Sequence, residues 1–277
     1  MENRIVMDSA GDLRTLDDIA YACVPLKITA GEREFVDDTA MDVEEMVRYL
    51  KSYKGKAVTA CPGVGDYLEA FGDAQNVYCV TITSGLSGSY NAAMVAARAY
   101  QEQHPERSVY VFDSLSAGPE MLLMAEKIRD LVKEKLSFEA VVEKVKAYQQ
   151  KTRLMFSLES LHNLANNGRV SVAVATVAGI LGIRLLGKAS DEGTLEPVAK
   201  VRGEKKLVPE LVRQLCTQGY NGGKVRIRHC FNPEAAVQLK NTLLERFPAA
   251  NICIGRTGGL CSFYAEQGGL LVGFEAE

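Results

Sequence analysis

Between Asn76 and Ser114 the hydrophobic period of the chain changes twice. "NVYCVTIT" is a short apolar run rich in β-branched and aromatic residues, which marks a buried strand. "SYNAAMVAARAYQEQ" follows with helical character, and "SVYVFDS" returns to the strand pattern. Strands that alternate with helices imply βαβ units and a parallel sheet, so this stretch restricts the fold class more than any other.

The same alternation extends along the first half. "RIVMDS" and "VPLKIT" are strand-like. "MDVEEMVRYLKSY" places Val43, Met46, Val47 and Leu50 on one helical face. "EMLLMAEKIRDLVKEK" and "SFEAVVEKVKAYQQK" are further helices, the second opened by Ser137 as a cap. In the second half, "LMFSLESLHNLANNGRV" reads as a strand, a short helix and a glycine stop. "IRLLGKASDEGTLEPVAKVRG" reads as an antiparallel hairpin turning at Asp191-Glu192-Gly193. "KKLVPELVRQLCTQ" is a helix, and "KVRIRHC", "NPEAAVQLKNTLLERF" and "ANICIG" give strand, helix and strand. There is no internal repeat or long linker. The expected architecture is two α/β domains with mainly parallel sheets, residues 1–155 and 156–277.

Composition narrows the partners. The chain has 277 residues, with 32 Lys and Arg against 35 Asp and Glu, so its net charge is 32 − 35 = −3. That balance gives no reason to expect nucleic acid or an anionic membrane surface as partner. The seven cysteines are scattered, with no CxxC pair, which argues against a zinc knuckle or redox motif and suits a reducing cytoplasm. "MENRIVMDSAGD" lacks an apolar core, so no signal peptide is expected. The uncharged apolar run Val170 to Ile183 is too short to span a bilayer. Its small residues fit either the wall of a tunnel or a plain buried helix.

The richest candidate site is "TITSGLSGSYNAA", Thr81 to Ala93. A strand ends near Thr83 and a helix starts near Ser89. Ligands of parallel α/β sheets bind outside the carboxyl ends of the strands. Gly85 and Gly88 allow close backbone approach, and free N–H groups at a helix start favour an anion. The lack of a lysine excludes a P-loop, and Ser89 fills the last glycine position of a GxSxG elbow. Helix capping and chain turning account for the same residues equally well.

Other segments resemble the DegV family of bacterial fatty-acid-binding proteins. "IVMDSAGDL", "VPLKI" with "FVDD", "VTACPG", "ITSGLSGSYNAA", "VFDSLSAG", "LESLHNLANNGRV", "EPVAKVRGEKK" and "RIRHCFNPEAA" occur in that family's order, over nearly the whole chain. The resemblance implies a fold that encloses one long-chain fatty acid between two α/β domains. It implies a carboxylate held by hydroxyls, no cofactor beyond that lipid and no catalysis by the carrier itself. The implied partner is a fatty-acid kinase that makes acyl phosphate, and transient contact with a membrane fits the same role. Carried over by position, Ser84 and Ser87 fall on the Ser-rich signature and Thr59 on the Thr-rich loop. Arg256 and Thr257 stand where the family has His-Thr, and Cys61 replaces its Gln. A guanidinium at 256 is expected either to meet the carboxylate or to face solvent and pair with a surface acid. The competing reading is an enzyme acting on a small anion at the same loop, with Asp8 or Asp113 as general base. His229 is expected as a core histidine. Arg169 is expected either to border the kinase-docking surface or to solvate a helix end.

Overall fold

The computed structural model of the chain describes residues 2–171 and 182–277. The run Val170 to Ile183, read as either a tunnel wall or a plain buried helix, lies mostly outside the described residues.

Four parallel strands form the first sheet, in the order β2-β1-β6-β7: β1 (Asn3–Asp8), β2 (Ala20–Val24), β6 (Asn76–Thr81) and β7 (Ser108–Asp113). Both faces are covered, which is why these strands read as continuous apolar runs. Val6, Val77, Cys79 and Val111 pack under α2 (Val64–Phe71) and α3 (Ser89–Gln103). Ile5, Met7, Tyr78 and Val80 face α4 (Pro119–Lys133) and α5 (Phe138–Gln149).

"VPLKIT" does not form one strand. Pro25 separates β2 from β3 (Lys27–Ala30), since proline has no N–H for a sheet ladder. β3 joins β4 (Arg33–Val36) and β5 (Ala57–Ala60) in a small antiparallel sheet beside α1 (Val43–Ser52).

The second large sheet has the order β10-β9-β8-β13-β11-β12. Its strands are β8 (Thr152–Leu158), β9 (Ile183–Ala189), β10 (Leu195–Arg202), β11 (Val225–His229), β12 (Ile252–Arg256) and β13 (Leu270–Glu275). The expectation of mainly parallel sheets needs correction here. The described pairs are antiparallel except β11–β12, because β13 enters the middle of the sheet against both neighbours and β9–β10 is the expected hairpin. β8 also runs straight through the expected boundary at residue 155.

Alternation along β8 gives this sheet two different faces. Met155 joins Leu186, Ile227 and Val272 beneath α7 (Glu204–Thr217) and α8 (Pro233–Arg246). Leu154, Phe156 and Leu158 point the other way, toward the first sheet. α4 lies between the two large sheets. Its start crosses β13 at Gly273, where a Cβ would sit 2.5 Å from the Pro119 carbonyl carbon, so only glycine allows that approach. Two short helices, α6 (His162–Asn166) and α9 (Gly259–Ala265), sit over the face carrying Phe156.

Candidate functional site

The Ser-rich loop is built by carboxylates at strand ends. Asp8, the last residue of β1, accepts the Ile82 N–H at 2.9 Å and the Ala10 N–H at 3.2 Å. Asp113, the last of β7, accepts the Ser84 N–H at 3.0 Å and the Leu115 N–H at 3.2 Å. Each acid therefore holds a loop in place through backbone amides. Burial pushes the Asp8 carboxyl up to about 7, against the stabilising N–H groups of Ile82 and Ala10 and the hydroxyls of Ser89 and Tyr67.

The loop also uses up its own amides. Gly85 N–H donates to Thr83 Oγ1, Leu86 and Ser87 N–H donate to the Thr83 carbonyl, and Ser89 N–H donates to Ser87 Oγ. The amides expected to cradle an anion are thus largely spent inside the turn. Side-chain hydroxyls are left for a ligand.

Beyond this loop lies a cavity of about 320 Å³. One end is polar. Thr59 Oγ1 on β5 and Tyr264 Oη on α9 lie 2.7 Å apart, with Ser87, Gly88, Cys61 and Arg169 around them. The Tyr264 phenol is raised above its ordinary range by burial, which outweighs the Thr59 hydrogen bond and the Arg169 charge, so it stays a neutral donor. The rest of the wall is apolar, with Leu154, Phe156, Leu158 and Leu271 from the second sheet and Leu86, Ile82 and Leu260 facing them.

Arg169 reaches this place through the "NNG" stop. Gly168 ends α6 at φ +72°, with Gly168 N–H donating to the Ala165 carbonyl and Arg169 N–H to the Leu164 carbonyl. This is a Schellman turn, and it sends the next side chain off the helix axis. Asn167 Nδ2 ties the turn to the Ala57 carbonyl of β5 at 3.2 Å. Arg169 Nε then donates to the Leu86 carbonyl at 3.2 Å, and a second N–H reaches the Asn167 carbonyl. Among the described residues these partners are carbonyl oxygens, so the guanidinium keeps its charge beside the hydroxyls.

Thr59, Ser87 and Gly88 line one cavity, but four other candidates, Ser84, Gly85, Arg256 and Thr257, do not. Ser84 is exposed, with its amide on Asp113. Gly85 packs against the hairpin tip, where a Cβ would lie 3.1 Å from the Glu192 carbonyl oxygen and 3.2 Å from that of Gly193. Arg256 is exposed at the end of β12, pairs with Glu44 of α1 at 2.8 Å and lies over the Phe231 ring. Thr257 is buried, with Oγ1 2.7 Å from Ser262 Oγ. The reason is that the Gly-rich turn at 258–259 already holds an anion of its own. Asp37, fully buried, accepts the Gly259 N–H at 2.7 Å and the Leu260 N–H at 2.9 Å, and pairs with Arg14. His229 is buried outside the cavity, with Nδ1 accepting the Asn232 N–H at 3.3 Å. Its pKa is held below the ordinary value first by burial, then by the Arg256 and Arg228 charges.

Sequence reasoning missed Tyr264 and gave Arg169 other roles. The signal for Tyr264 lies in Leu260, Cys261, Tyr264 and Ala265, one face of a helix that the glycines on either side conceal.

Among the described residues, the cavity is apolar with neutral hydroxyls and a single cation toward one end, an arrangement suited to an amphipathic acid. The chain belongs to the DegV family. The family model, described as an uncharacterised protein of the DegV family, matches residues 3–277. A DegV domain-containing protein of Streptococcus pneumoniae (strain ATCC BAA-255 / R6) is 45% identical over 278 residues, covering 99% of each chain. The Streptococcus pneumoniae Fatty Acid Kinase (Fak) B3 protein, solved loaded with linoleic acid, superposes at a TM-score of 0.98 with 44% identity over 100% of both chains. A DegV family protein from Eubacterium eligens, loaded with heptadecanoic acid, gives a TM-score of 0.97 with 44% identity over 99% of this chain and 100% of that one.

Proposed function

We propose that this protein holds one long-chain fatty acid in the 320 Å³ cavity and presents it to a fatty-acid kinase for conversion to acyl phosphate. In this reading Thr59, Ser87, Tyr264 and Arg169 receive the carboxylate. The observation that carries it is their convergence at one end of an otherwise apolar cavity. Each buried methylene contributes about 0.8 kcal/mol, so the wall supplies most of the affinity and the polar end sets orientation. The fatty acids held by the solved relatives support the ligand class, and the likeness to the Fak B3 protein supports the kinase as partner.

The protein acts as a carrier rather than a catalyst. Asp8 and Asp113, the candidate general bases, are committed to backbone amides. The seven cysteines, all unpaired, fit a cytoplasmic location. The same reading keeps two domains around the ligand but moves the boundary from 155 to the turn before Thr152, so that β8 stays whole.

The test is to denature the purified protein, extract it with organic solvent and identify the extract by mass spectrometry. A long-chain fatty acid at about one per chain is expected. A polar anion, or no acid even after incubation with a fatty-acid mixture, would overturn the reading.

A further inference from the structure

Phe156 sits in the cavity wall at 2% exposure, on the central part of β8. Its register partners are Gly187 on β9 and Leu271 on β13, and all three share the face that looks into the cavity. Gly187 has an ordinary φ, so its backbone does not require glycine. Its surroundings do. A Cβ there would lie 2.2 Å from Cζ and 2.4 Å from Cε2 of Phe156, and 2.9 Å from the Glu196 carbonyl oxygen. The Phe156 ring therefore lies in the notch that the missing side chain leaves in the sheet.

We propose that Gly187 sets the acyl-chain selectivity of this protein by giving the Phe156 ring a place against the sheet and out of the cavity. The inference rests on the fatty-acid reading of the same cavity. A methyl group at 187 displaces the ring, since the ring is hinged and the Glu196 carbonyl belongs to the sheet ladder. On one side the ring meets Leu271, itself part of the cavity wall, and away from the sheet it meets the cavity. Either path removes volume available to the alkyl chain. Each methylene so excluded lowers affinity about fourfold.

The experiment compares wild type, Gly187→Ala, Phe156→Leu and the double variant, loaded from an equimolar mixture of saturated acids of graded length and analysed by mass spectrometry. Thermal midpoints establish that each variant is folded. Gly187→Ala is expected to shift the retained acids to shorter chains, with the long-to-short ratio falling roughly tenfold. Phe156→Leu is expected to shift it the other way, and the double variant to return toward wild type. A folded Gly187→Ala with the wild-type profile overturns the inference. If that variant does not fold, an unchanged profile in Phe156→Leu overturns it instead. A wild-type protein that loads no acid sinks the carrier reading itself, a separate result.

Discussion

At the scale of single residues, the polar end of the cavity sets, among the described residues, the Arg169 charge beside the neutral hydroxyls of Thr59, Ser87 and Tyr264. Ser87 is the hydroxyl closest to both worlds, lining the cavity and lying 3.0 Å from buried Ser89. A hydrogen bond to a charged group is worth about 1.5–3 kcal/mol, so Ser87→Ala is expected to weaken binding of a long-chain acid roughly tenfold to hundredfold. Its thermal midpoint should stay near wild type. Arg169→Met should abolish most of the preference for an acid over the alcohol of equal length, as read by competition; a variant that still discriminates removes Arg169 from the head-group site. Asp8 supplies a pH signature. Its carboxyl stands at about 7 in the fold against an ordinary 3.8, so the folded chain keeps a proton that the unfolded chain gives up. This contribution to stability is fully present below about pH 4 and is lost as pH rises through about 7. Asp8→Asn is neutral throughout. The fall in unfolding free energy between about pH 5 and about pH 8 should be smaller in that variant by roughly 2–3 kcal/mol, measured by urea titration. Thr59 and Ser87 were singled out by their places in the family motif, since the loop pattern alone fits helix capping and chain turning equally well. Position in a motif says nothing of which acid is nearer, so the choice for Arg256 between the carboxylate and a surface acid was not legible; Glu44 is the acid it meets.

At the scale of elements, the parallel sheet was legible from its period and the antiparallel parts were not. β13 pairs antiparallel with β8 and β11 across more than forty residues of chain, and no local pattern encodes such partners. The small sheet β4-β3-β5 has strands of only four residues, too short for a periodic signal. α9 starts at a Gly-Gly pair, which reads as a turn until Asp37 is seen holding its first amides. One contact between elements is open to direct test. Arg226 of β11 meets Glu126 of α4 through two hydrogen bonds, at 2.8 Å and 2.7 Å, and both side chains are largely buried. Removing one partner leaves the other charge without compensation. Glu126→Ala should therefore destabilise the fold by about 3–5 kcal/mol, whereas replacing both residues with apolar side chains of similar volume should cost far less. Equal losses in the single and double variants would refute the pairing as the cause.

At the scale of the whole molecule, the two large sheets meet around the cavity, and the β9–β10 hairpin reaches from one to the Ser-rich loop of the other. The contact is backbone on backbone. Gly85 approaches the Glu192 and Gly193 carbonyls, and Gly193 in turn stands where a Cβ would lie 2.1 Å from Thr83 Oγ1 and 2.9 Å from the Leu115 Cα. Gly193 also has φ +74°, which a side chain tolerates poorly. The hairpin tip thus closes onto the loop that carries Ser87, at a point that does not line the cavity. Gly193→Ala forces the tip away from Thr83 and should cost roughly 1–2 kcal/mol through the backbone conformation alone. The larger expected effect is kinetic. A displaced tip loosens the seam between the sheets, so a bound fluorescent fatty acid should dissociate several-fold faster. The relative affinities for acids of different length should stay close to wild type, because Phe156 and Gly187 are unmoved. Gly187→Ala is expected to show the opposite pattern, with altered length preference. Stopped-flow displacement and the retained-acid profile, measured on both variants, separate a seam that controls release from a wall that measures the chain. A Gly193→Ala protein with wild-type release would mean that the hairpin shapes the fold without governing the ligand.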